Sequence, residues 1–99
     1  MCGLTGIWQP GGGREEILRT RVGAMARTLL HRGPDDGGDY VDAAGGVALG
    51  FRRLAIVDLS PTGHQPMRSA DGRYVVVFNG EIYNYRDLRD RLAGAGMLP

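Results

Sequence analysis

Apolar positions along the chain change their period repeatedly, and each change predicts an element. Gly3, Leu4, Thr5, Gly6, Ile7 and Trp8 alternate loosely and end β-rich, which predicts a short strand over residues 3–8. Gln9, Pro10 and three glycines close it as a turn or loop. Ile17, Leu18, Val22, Met25, Ala26, Leu29 and Leu30 then recur at helical spacing. Glu15 and Glu16 in the first turn and Arg27 near the end suit the helix dipole, so this segment reads as an amphipathic helix packed on a sheet. The segment from His31 to Gly38 ends it: Gly33 suits a C-terminal cap and Pro34 stops continuation. Residues 39–41 and 47–51 predict a hairpin across 42–46, and the alternation runs on through Arg52, Arg53, Leu54 and Ile56 toward Leu59. Residues 60–67 read as a loop. Residues 73–78 form the most apolar run and predict a central buried strand. Ile82, Tyr85, Leu88 and Leu92 predict a second helix, and residues 94–99 complete no further element.

Composition narrows the class. Ninety-nine residues make one small domain or part of one, and 42% hydrophobic content is that of a globular chain. Twelve basic against 11 acidic residues leave a net charge of +1, which supplies no electrostatic case for nucleic acid or membrane. All the basic residues are Arg, so Lys nucleophiles, Schiff bases and a phosphate-loop Lys are excluded. The single cysteine excludes an internal disulfide and fits a reducing compartment. The N-terminus lacks a basic region followed by an apolar one, and no apolar run approaches transmembrane length. The expectation is therefore a cytoplasmic protein.

Candidate chemistry centres on Cys2. A small residue in second place permits removal of Met1, which would leave a thiol and a free α-amine on one residue. Such a nucleophile carries its own base, a variant of triad logic. The plain alternative is a small buried hydrophobe. Arg52 and Arg53 enter an apolar strand together, so one faces solvent and the other a cleft or the core. A half-buried Arg needs an acceptor: a ligand carboxylate matches its fork, and an internal Asp would serve as well. Asn79-Gly80 after a strand ordinarily marks a hairpin turn. Before a helix, the same pair offers a side-chain amide and a backbone N–H, the donors of an oxyanion hole. His31, Asp35 and Asp36 read as a solvated turn, and His64 as a loop histidine.

Four segments in order then resemble one family. They are Met1-Cys2-Gly3-Leu4-Thr5-Gly6-Ile7, His31-Arg32-Gly33-Pro34-Asp35-Asp36, Arg53-Leu54-Ala55-Ile56-Val57-Asp58 and Phe78-Asn79-Gly80-Glu81-Ile82-Tyr83-Asn84-Tyr85. The set resembles the start of glutamine-hydrolysing asparagine synthetases, a class II glutamine amidotransferase domain. Gly63-His64-Gln65-Pro66-Met67 favours that family over its relatives in purine and hexosamine synthesis. The resemblance implies an α+β, N-terminal-nucleophile fold: a four-layer α/β/β/α sandwich with antiparallel sheets, of which residues 1–99 are the N-terminal portion. It implies that Cys2 attacks the side-chain amide of glutamine. Asn79 and Gly80 match the oxyanion hole, Arg53 the α-carboxylate clamp, and Leu54, Ile56 and Glu81 the pocket wall. His31 and His64 match no catalytic role.

The resemblance implies no cofactor in this chain. ATP and Mg would belong to a synthetase domain that converts aspartate to asparagine. The implied partners are L-glutamine, the synthetase domain or a completing chain, and a possible homodimer, with neither nucleic acid nor membrane. The family continues into a segment with an Asp that binds the glutamine amine, and Met97, Leu98 and Pro99 do not match it. The chain is therefore expected to be a truncated domain, poorly soluble and weakly active alone. The alternatives are a non-catalytic fragment that only binds a partner, and the amidotransferase part of a related amide-forming synthetase.

Overall fold

A computed structural model describes residues 2–54 and 64–97. Among these described residues seven elements follow in chain order: β1 (Gly3–Trp8), α1 (Glu15–Arg27), β2 (Asp36–Asp42), β3 (Val47–Arg53), β4 (Met67–Arg68), β5 (Val75–Val76) and α2 (Tyr85–Gly94). The result is a small α+β structure with antiparallel sheets. β1, β3 and β2 form one sheet with β3 in the middle, and β4 pairs with β5 in another.

The core lies where α1 crosses the first sheet. Pleating sends alternate residues to opposite faces, so Ile7, Ala48 and Val41 face the helix. Leu18 and Val22, four residues apart and so on one side of α1, are fully buried against them. Gly50 lets the helix approach: a Cβ there would lie 3.1–3.4 Å from Thr5, Val22 and Ala26. Arg19 of α1 pairs with Asp39 of β2 at 2.8 Å on the same side. The expected first strand, first helix, hairpin and second helix are all present.

Four expectations are corrected. β2 begins at Asp36, so Gly37 and Gly38 belong to a strand and not to the preceding turn. Gly33 is no helix cap. α1 ends at Arg27 with Thr28 as its cap residue, and Gly33 is buried so closely against the Arg52 backbone that a Cβ would collide with it. Residues 73–78 are not the central strand. Only Val75 and Val76 pair there, with Arg68 and Met67, and Phe78 is 46% exposed. The apolar content of that run reports a surface suited to burial, whereas the central place goes to β3 because it has a partner on each side. Met67, expected as the end of a loop, forms with Arg68 the other strand of that pair.

Candidate active site

The face of the sheet opposite α1 carries the candidate chemistry. Gly3 points toward Leu29 on the helix side, so Cys2, one residue earlier, belongs to the other face. The pairing of Gly3 with Arg52 brings their flanking residues, Cys2 and Arg53, to the same end of the sheet. The Leu54 N–H donates to Cys2 Sγ at 3.3 Å, and the thiol can donate to the Leu54 carbonyl at 3.7 Å. Both backbone groups of one residue thus fix the sulfur of the half-buried Cys2.

Arg53 is the buried member of the arginine pair, 8% exposed, as the period-two reading required. Arg52 turns the other way, and its Nε–H donates to the Gly33 carbonyl at 2.8 Å. Asp36 lies opposite Arg53 in the register of β2 and β3. His64 Nδ1 donates to Asp36 Oδ2 at 2.6 Å. That bond is the main cause holding the Asp36 carboxyl below the usual carboxylate range. Burial opposes it, while the Gly37 N–H at 2.8 Å and the charges of His64 and Arg53 add to it.

Asn79 comes from the far end of the chain. Its Nδ2 donates to the Cys2 carbonyl at 3.0 Å, across 77 positions of sequence. A primary amide has two N–H donors, so one remains for a ligand oxygen. The Asn79-Gly80 pair leads through residues 81–84 into α2 and does not form a hairpin turn. Gly80 and Glu81 are exposed and line an open cleft with Ile82, Tyr83 and Tyr85. Leu54 is half-buried beside Cys2. Ile56 lies outside the described residues. Among the described residues no three His, Cys, Asp or Glu side chains gather as a metal-ligand set. No helix among them is long and apolar enough to cross a membrane.

One group of residues escaped the sequence reading. The Asp36–His64 pair leads directly to Gln65, whose side chain grips the Phe78 peptide next to Asn79. The available signal was Gly37-Gly38, an unusual pair to find inside a strand.

The family model described as a glutamine amidotransferase domain matches residues 1–98. A protein of Mycobacterium tuberculosis, provisionally named an asparagine synthetase (glutamine-hydrolyzing), is 47% identical over 93% of this chain and 16% of its own length. Asparagine synthetase (glutamine-hydrolyzing) 1 of Bacillus subtilis is 39% identical over 97% of this chain and 15% of its own length. Asparagine synthetase (glutamine-hydrolyzing) 2 of the same organism is 43% identical over 93% of this chain and 12% of its own length. The chain thus spans 12–16% of these relatives.

Proposed function

The chain belongs to the glutamine amidotransferase domain family, and from that premise we propose that it is the N-terminal part of the glutaminase domain of an asparagine synthetase, with Cys2 as the nucleophile. Removal of Met1 leaves the Cys2 amine beside its own thiol. The amine takes the thiol proton, and the sulfur attacks the side-chain amide carbon of glutamine. The carbonyl electron pair moves to oxygen, where the second Asn79 N–H and the Gly80 N–H donate to it. Collapse expels the nitrogen as ammonia, which takes the proton held by the amine, and leaves a thioester on Cys2. Water then displaces the sulfur and releases glutamate. Arg53 holds the α-carboxylate in its fork, and Leu54, Ile56 and Glu81 wall the pocket.

In this reading the ammonia serves a synthetase domain that binds ATP, Mg and aspartate. The remainder of the amidotransferase domain supplies the second large sheet of a four-layer sandwich. That sheet covers the face carrying Cys2, where Leu4 and Trp8 are exposed.

The observation that carries the reading is the Asn79–Cys2 bond, which joins the proposed oxyanion donor to the proposed nucleophile. Intact-mass spectrometry with a glutamine-like diazo-ketone tests it. The expected result is a single adduct on a chain lacking Met1, abolished in Cys2→Ser and competed away by glutamine. Arg53→Lys keeps the charge but loses the fork, and should raise the glutamine needed for protection about tenfold. An adduct indifferent to glutamine would overturn the proposal.

A further inference from the structure

Gln65 is bonded to the backbone one residue before Asn79. The Phe78 N–H donates to Gln65 Oε1 at 2.6 Å, and Gln65 Nε2 donates to the Phe78 carbonyl at 3.1 Å. The side-chain amide therefore satisfies both backbone groups of Phe78, as a neighbouring strand would. The β4–β5 register stops at Val76, so Gln65 and not a strand neighbour holds the Phe78 peptide. Among side chains of this length only Gln offers an acceptor and a donor in one plane.

Gln65 is in turn referred to the first sheet. His64 is bonded to Asp36 of β2 at 2.6 Å. Gly38 leaves the room for this: a Cβ there would collide with the Gln65 carbonyl and lie 2.9 Å from His64 Nε2. A closed circuit results. Cys2 is held to Leu54 at the end of β3, β3 pairs with β2, and Asp36 of β2 holds His64. Gln65 then holds Phe78, and Asn79 returns to the Cys2 carbonyl.

We infer that Gln65 is a positioning residue of this site, aiming the Asn79 amide at the reacting carbonyl by clamping the Phe78 peptide, with the His64–Asp36 pair and the bare Gly38 surface as its anchor. The inference rests on the proposed role of Cys2 and Asn79. It assigns Gln65 no contact with substrate. Its effect is on the transition state, where a donor out of line costs most.

The test compares two electrophiles on Cys2 in the wild-type chain, Gln65→Leu, Gln65→Glu and Gly38→Ala. Iodoacetamide reacts by displacement and needs no oxyanion donor. The diazo-ketone places a carbonyl where the glutamine amide would lie. Loss of one oxyanion donor costs about 100- to 1,000-fold in such sites, and a misaimed donor should cost part of that. Gln65→Leu should slow diazo-ketone labelling about 10- to 100-fold while iodoacetamide labelling stays within about twofold. Gln65→Glu keeps the acceptor for the Phe78 N–H but sets a carboxylate against the Phe78 carbonyl, so it should not restore the rate. Gly38→Ala should act in the same direction without touching Phe78.

Amide hydrogen exchange supplies a second readout that is independent of reactivity. Phe78 N–H should exchange about tenfold faster in Gln65→Leu, with the amides of β1, β2 and β3 unchanged, which also shows that the variant folds. Equal diazo-ketone rates in wild type and Gln65→Leu, or unchanged exchange at Phe78, would overturn the inference. Wild-type labelling that glutamine fails to compete would instead sink the functional reading, leaving the exchange result to decide the positioning.

Discussion

Asp36 accepts from His64 at 2.6 Å and from the Gly37 N–H at 2.8 Å, and the Arg53 charge adds to both. Its carboxyl is therefore more acidic folded than unfolded, where a value of about 3.9 is ordinary. Between the two values the unfolded chain binds the extra proton, so stability rises with pH there. The contribution is present above about pH 4 and is lost as pH falls through the folded value. Both partners are partly exposed, at 35% and 45%, so solvent screening keeps it modest. Thermal unfolding between pH 5 and pH 3 should show the midpoint of the wild type falling more steeply than that of Asp36→Asn. Parallel curves would mean that the pair carries no pH-linked stability. At this scale the sequence was legible wherever a single period decided the outcome. That Arg52 and Arg53 turn to opposite faces follows from alternation along one strand; that Arg53 is the buried one and Arg52 the half-buried one does not. The Asp36–His64 bond spans 28 positions, and no local pattern encodes it.

The two helices separate propensity from packing. α1 buries Leu18 and Val22 completely, whereas α2 buries none of its residues. Leu18→Ala should cost about 2–5 kcal/mol, the usual range for a leucine removed from a packed core. Leu88→Ala on α2 should stay within about 0.5 kcal/mol, as for an exposed position. Urea unfolding followed at the first sheet measures both, and a large effect at Leu88 would mean that α2 packs in solution. Both helices were readable from their 3.6-residue period, which reports an apolar face. The run at residues 73–78 misled for a related reason: its apolar character says that it suits burial, and names no partner.

The whole molecule exposes more surface than its mass warrants. Its accessible area is 7249 Å², against about 5,500 Å² for a compact protein of this mass. Its radius of gyration is 15.2 Å, against about 13 Å for a compact chain of this length. Large apolar side chains share in it: Trp8 is 73% exposed and Tyr83 94%, and Ile82, Leu88 and Leu92 are exposed as well. Such surface drives association. Size-exclusion chromatography should show elution that shifts with concentration, and Leu88→Glu with Leu92→Glu should move the chain toward monomer. A sharp monomer peak at every concentration would count against this.

Sequence alone settled the order and type of the main elements, because period and turn chemistry act over a few residues. It also singled out Cys2, Arg53 and Asn79 as candidates, the last two chiefly through the resemblance of four segments taken together. Tertiary structure decided which strand is central, since that depends on partners distant in the chain. It alone joined Asn79 to Cys2 across 77 positions and Gln65 to Phe78 across 13. Those bonds join segments distant in sequence, and their geometry exists only once β2 and β3 have paired and Gly38 has left room for residues 64 and 65.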